Sequence, residues 1–205
     1  MQWLMPLRIG LNASRRWLWR WMFSRVVFGE RSQGRWLAHT RIAPSTLIDH
    51  EDRLHLSDHV YIGPLNWIEA SAGVVIEEGV QVTSHTSIIT HSSHRAMRIL
   101  GRHYVHHDFT MGPPPGWISA PVHIGAYSFI GPHVVLEPGT RLGKGCVVRA
   151  GSVVRGEFAD FSIVQGQPAR VVGDTRTQDE TLLMEFPEYA EHRRRWAGRW
   201  EPPSA

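Results

Sequence analysis

Residues 124–154 read IGAYSFIGPHVVLEPGTRLGKGCVVRAGSVV, and aliphatic residues recur through them every sixth position: Ile124, Ile130, Leu136, Leu142, Val148 and Val154. Gly125, Gly131 and Gly143 follow directly after three of these. A period of six matches neither the 3.6 of a helix nor the simple alternation of a strand. It matches a parallel β-helix, in which each flat side of a coil takes six residues and turns one aliphatic side chain inward. A fixed repeat decides the architecture before single-residue propensities do. The glycines predict tight corners, where a residue without Cβ is least costly.

The repeat extends upstream with slips. Ile42, Ile48, Leu54 and Val60 keep step at six. Ile62, Ile68 and Val74 follow in a frame shifted by two, and Ile76, Val82 and Ile88 in a frame shifted again. Such shifts predict two-residue insertions at coil corners. Residues 91–120 lack any period and carry Pro113, Pro114, Pro115 and Gly116, which predicts a long loop of the functional kind. The expected division is a basic, Trp-rich helical segment over 1–41, a β-helix over 42–173 interrupted at 91–120, and a helical tail over 174–205.

The chain has 205 residues, a net charge of +3 and one cysteine, Cys146. That cysteine excludes an internal disulfide framework and, inside the repeat, reads as a small buried hydrophobe. Residues 1–41 hold eight arginines and a single acid, Glu30. Ser14 is the expected N-cap of a helix that places Trp17, Leu18, Trp21 and Val26 on one face. Two uses compete for it: a cover over the open end of the first coil, or contact of residues 1–30 with an anionic membrane surface. No apolar run is long enough to span a bilayer, and the start lacks a clean secretion signal, so a cytoplasmic protein is the expectation, membrane-associated where the second use of residues 1–30 holds. In the tail, Thr177 or Asp179 is the expected cap of a helix interrupted near Pro187. The basic residues form no recognisable reading module, so nucleic acid is not an expected partner.

Chemistry must come from departures from the repeat. His91 and His94 stand where the pattern fails, and a histidine titrates near neutrality, as a general base requires. His103, His106, His107 and Asp108 could bind a metal, or form a solvated polar loop. His85, His123 and His133 raise the thought of a γ-carbonic-anhydrase-like zinc site, but the ten-residue interval from His123 to His133 departs from that family's five.

The units Ile124–Phe129 and Ile130–Val135, then Ala150-Gly151-Ser152-Val153-Val154, then Gly166-Gln167-Pro168-Ala169-Arg170 resemble the end of the hexapeptide-repeat acyltransferases, including the maltose/galactoside, colanic-acid and xenobiotic O-acetyltransferases. Gln167 replaces that family's usual Asn. The resemblance covers about residues 42–173. It implies an all-β fold, a left-handed parallel β-helix with helical extensions. It also implies a homotrimer with sites between subunits, acetyl-CoA as donor, and no metal. Matched by position, His94 is the implied catalytic base; the interval from Ile88 is one residue longer than in two branches, which leaves His91 as the alternative. Gly131, Pro132, Ala150, Arg155 and Arg170 are the implied cofactor contacts. Asn66, Trp67, Glu69 and Ser71, with Trp117 from the loop, are the implied acceptor contacts. The implied activity is O-acetylation of a sugar or surface-polysaccharide precursor; an amino-sugar N-acetyltransferase, a metal enzyme and a non-catalytic scaffold are its rivals.

Overall fold

The computed structural model describes residues 5–23 and 25–198. Three parallel sheets form the sides of a prism. The first side stacks strands 47–49, 67–69, 87–89, 135–136 and 153–154; the second stacks 54–56, 74–76, 122–124, 141–142 and 157–158. The third stacks 41–42, 61–62, 81–82, 129–130, 147–148 and 162–166, and strand 169–174 folds back antiparallel on its last member. The chain visits the third, first and second sides in turn, so each circuit is one coil of a parallel β-helix.

Backbone hydrogen bonds run from coil to coil, as from the Gly125 amide to the Leu142 carbonyl (2.9 Å) and from Gly131 to Val148 (2.8 Å). The six-residue ladder is the core: Ile124, Ile130, Leu136, Leu142, Val148 and Val154 are fully buried in one apolar column. Gly125 and Gly131 are needed for close approach rather than for backbone conformation, since neither has a positive φ. A Cβ on Gly125 would lie 2.5 Å from the Gly143 carbonyl carbon, and one on Gly131 would lie 2.8 Å from the Ala150 nitrogen.

The upstream shifts of two have a specific origin. Arg41 pairs with Tyr61, twenty residues on, whereas Phe129 pairs with Val147, eighteen on. The extra pair lengthens the second side, where Leu54 and Leu56, then Val74 and Ile76, all turn inward. Corners carry their own pattern. Along the edge between the second and third sides stand His59, Gly79, Tyr127, Gly145 and Phe161, all with positive φ. The Tyr127 ring occupies the space beside Gly79, 2.5 Å from where a Cβ would be, and the Phe161 ring does the same at Gly145, at 2.6 Å. Cys146 is buried in the core as expected, and burial pushes its thiol up to about 11.

Both ends differ from expectation in detail. Helix α1 (Met5–Phe23) has no buried residue. A hairpin of Glu30–Ser32 and Arg35–Leu37 closes the first coil instead: Leu37 is buried, and the Ser32 hydroxyl donates to Leu54 O (3.1 Å) and accepts from Leu56 N (2.9 Å). Ser14 is not a cap; it lies inside α1 and donates to the Gly10 carbonyl. Val26 lies beyond the helix, and residues 1–4, part of the expected N-terminal segment, lie outside the described residues.

The loop 91–120 has structure of its own. His91–Ser92 pairs antiparallel with Ile118–Ser119, and α2 (His94–Leu100) and short 3-10 turns fill the space between. The tail breaks at Pro187 as expected, into α3 (Thr175–Glu185) and α4 (Ala190–Ala197). Its cap is Asp174, whose carboxylate accepts from the Arg176 amide (2.8 Å), rather than Thr177 or Asp179. Helix α4 returns to the prism, where Trp196 stacks on Tyr127 at 4.5 Å and its carbonyl accepts from Lys144 Nζ (3.0 Å). Residues 199–205 of the tail lie outside the described residues. Among the described residues no helix is long and apolar enough to cross a membrane.

Candidate active site

The long loop leaves and rejoins the prism at the edge between its first and second sides. The strands stack in register there, Asp49 beside Glu69 and Glu69 beside Ile89, so the residues just past Ile89 lie over those just past Glu69. That register brings His91 onto Ser71 and Glu69.

Glu69 is buried, and its carboxylate is fully used. Oε1 accepts from the Ser71 amide (2.8 Å); Oε2 accepts from the Thr90 amide (3.0 Å) and hydroxyl (2.8 Å). Burial alone would raise its pKa, but the hydrogen bonds from Ser71 and Thr90 outweigh it and hold the carboxyl down at about 2. Glu69 is therefore ionised at neutral pH, and its Oε2 lies 2.8 Å from His91 Nδ1, with Ser71 Oγ at 3.2 Å from the same nitrogen. A carboxylate there fixes the proton on Nδ1 and leaves Nε2 with the lone pair. Trp117 packs flat on the His91 ring, centroids 4.7 Å apart and 8° from parallel, and Phe109 meets Trp117 edge-on at 5.4 Å. The two aromatics restrict the imidazole to one orientation while leaving it partly exposed.

His94 sits differently. It opens α2, is exposed, and has its Nδ1 2.7 Å from Ser92 Oγ. Of the five expected acceptor contacts, Glu69, Ser71 and Trp117 gather around His91, and two do not. Asn66 is buried: its Nδ2 donates to Gly63 O (2.8 Å) and Thr83 O (2.6 Å), and its Oδ1 accepts from Thr86 N (2.7 Å). It ties coils together and has no group left for a ligand. Trp67 lies on the outside of the first side and donates Nε1 to Asp49 Oδ2 (2.8 Å).

The expected donor contacts occupy two edges. Gly131 and Pro132 stack on Ala150 at the edge between the third and first sides, and the Pro132 carbonyl accepts from Gly151 N (2.9 Å). Arg155 follows strand 153–154, on the same edge as His91, and Arg170 lies on the returning strand opposite Gln165. Within one chain the first side separates the Gly131–Ala150 groove from His91.

The candidate metal ligands do not converge. His85 stacks on His133 at 4.8 Å, whereas His123 is on the second side with Nε2 2.8 Å from Glu77 Oε1. His107 bonds to the Gly112 carbonyl, and Asp108 caps the turn 109–111. Among the described residues His39, Asp58 and His59 do come together. Their two rings lie parallel, 4.4 Å apart, so no single ion lies in both ring planes in this geometry.

Comparison with known proteins bears on this arrangement. Residues 121–156 match the family described as "Bacterial transferase hexapeptide (six repeats)". A Mycobacterium tuberculosis protein named "Probable acetyltransferase Rv3034c" is 32% identical over 147 residues, 71% of this chain and 45% of the relative. The Escherichia coli protein named "Putative lipopolysaccharide biosynthesis O-acetyl transferase WbbJ" is 29% identical over 144 residues, 68% of this chain and 65% of the relative. The chain carries the hexapeptide repeat of bacterial transferases over residues 121–156, and both of these relatives are named acetyltransferases. It spans 45% and 65% of the length of these two relatives. A hexapeptide-repeat acetyltransferase of Vibrio cholerae, solved with acetyl coenzyme A, superposes with a TM-score of 0.57 at 22% identity, covering 80% of this chain and 77% of that one. That likeness concerns the fold alone, and within that fold the loop 91–120 carries the His91 cluster.

The role of Thr90 and the pairing of Glu69 with His91 escape a reading of the sequence alone. The signal was the twenty-residue coil: His91, two residues past Ile89, falls on Ser71, two residues past Glu69.

Proposed function

We propose that the chain transfers an acetyl group from acetyl-CoA to a hydroxyl of a sugar or surface-polysaccharide precursor, with His91 as general base. The observation that carries this reading is the contact of His91 Nδ1 with the ionised, buried Glu69 (2.8 Å). His91 Nε2 takes the acceptor proton as the hydroxyl oxygen attacks the thioester carbonyl carbon. The tetrahedral intermediate collapses with cleavage of the C–S bond, and the imidazolium returns its proton to the departing thiolate. Glu69 stabilises the imidazolium between those two steps, and Trp117 keeps the ring from turning. His94, the position first expected, has only a hydroxyl against its Nδ1 and is assigned no proton transfer.

Acetyl-CoA as donor is supported by the acetyltransferase names of the relatives and by the ligand with which the V. cholerae protein was solved. A saccharide hydroxyl as acceptor is supported by the name of the E. coli relative. The fold's winding is read as left-handed and the assembly as a homotrimer. Support for the trimer comes from the two edges: a neighbouring chain that brings its Gly131–Ala150 groove against the His91 edge completes a site that one chain leaves divided. Arg155, on the His91 edge, and Arg170 are read as phosphate contacts, since a guanidinium matches phosphate geometry.

The test is release of free thiol from acetyl-CoA with a panel of saccharides bearing hydroxyl or amino acceptors, beside calorimetric titration with CoA. CoA binding and acceptor-dependent thiol release are expected. A chain that binds no CoA, or releases thiol with no acceptor in the panel, overturns the reading.

A further inference from the structure

We propose that α1 docks the protein on an anionic lipid surface. The inference is independent of the acyl-transfer reading. At 100° per residue, Arg8, Arg15, Arg16 and Arg20 fall on one arc of the helix together with Met5, Ile9, Trp19 and Phe23. Leu7, Leu11, Trp17, Leu18, Trp21 and Met22 fall on the opposite arc. The four arginines and the six apolar residues of the opposite arc are all exposed, and α1 has no buried residue. Only the last turn is tied to the prism: Trp19 and Phe23, ring centroids 4.4 Å apart, line a cleft with Val26, Ala43, Tyr61 and Pro64. That contact turns the leucine and tryptophan arc away from the β-helix, with none of the described residues burying it.

Charge selects the occupant. Residues 5–23 contain four arginines and no acid, and Glu30 is the one acid in the first 41 residues. Arg15, Arg16 and Arg20 line an open cleft with Asn12 and Trp19, a set of donors suited to phosphate oxygens. A helix that buries its apolar arc against a second copy would need no such excess of one sign. An apolar arc rich in Trp and Leu, backed by an arc whose only charged residues are arginines, is the composition of a helix lying in the boundary between headgroups and acyl chains.

The test is co-sedimentation of the full chain with phosphatidylcholine vesicles, with and without phosphatidylglycerol, read also by tryptophan fluorescence. Partition onto the phosphatidylglycerol vesicles is expected, with a blue shift and a loss at high salt. Each arginine near such a surface strengthens partition about fivefold, so Arg15→Gln with Arg16→Gln weakens it by roughly 25-fold. Trp17→Ser with Trp21→Ser removes the blue shift and leaves the mass of the assembly unchanged. The proposal is overturned by no partition, by equal partition onto neutral vesicles, or by a change of assembly mass in the Trp17/Trp21 variant, which would mean that a second copy covers the helix.

Discussion

His91 and His94 are three positions apart and differ in what stands behind them. A buried carboxylate faces His91; Ser92 Oγ faces His94. General base catalysis contributes roughly 10²–10⁴-fold, so His91→Asn should lower kcat by that order while calorimetry still finds CoA bound. His94→Asn should keep most of its turnover, and an inactive His94 variant beside an active His91 variant would reverse the assignment. Glu69 adds a pH dependence of stability. Its folded pKa of about 2 lies below the ordinary 4.5, so the contribution is present above about 4.5 and is lost as pH falls toward 2. A difference of that size corresponds to roughly 3 kcal/mol. Denaturant melts of the wild type and of Glu69→Gln should therefore converge as pH drops below 4 and separate above 5, to about that extent. Most residues of this site were named from the sequence, with His94 as the first choice of base and His91 as the alternative; the contact with Glu69 is what favours the alternative. Counting along the chain measures distance from Ile88, whereas position is set by which residue of the coil below lies underneath.

At the scale of the element, the apolar ladder was legible and its consequences are quantitative. Leu142 is fully buried in the column, so Leu142→Ala should cost about 2–5 kcal/mol in denaturant unfolding. Gly125→Ala should cost about 1–3 kcal/mol by overpacking, because its new methyl meets the backbone at Gly143 and Lys144, which no rotamer can move aside. Gly10, on the exposed α1, has nothing within 4 Å of a would-be Cβ. There the same substitution should stabilise the helix by up to about 1 kcal/mol. Periodicity located the helices less well than the coils. The apolar face of α1 could be read from its spacing, but a face does not say what covers it, and a hairpin closes the coil instead. The structure within residues 91–120 was illegible because it is held by pairing with Ile118–Ser119 and by aromatic packing on Trp117, contacts distant in sequence.

At the scale of the molecule, the period of six specifies a stack of coils but carries neither the hand of the winding nor the number of chains. The division of the site between two edges makes the proposed assembly testable. Subunits carrying His91→Asn and subunits carrying Ala150→Trp, each inactive alone, should regain thiol release when unfolded and refolded together, because a mixed trimer pairs an intact edge of each kind. Mixtures as inactive as their parents would place the whole site in one chain. The corners where rings lie over glycines bear on how such a molecule can change length. Tyr127 fits because Gly79 is bare, and Phe161 because Gly145 is bare. Large and small corners alternate, so the stack is built in couples rather than in single storeys. Deleting or duplicating one coil would set ring against ring or leave a gap, while a change by two coils would keep the alternation in phase.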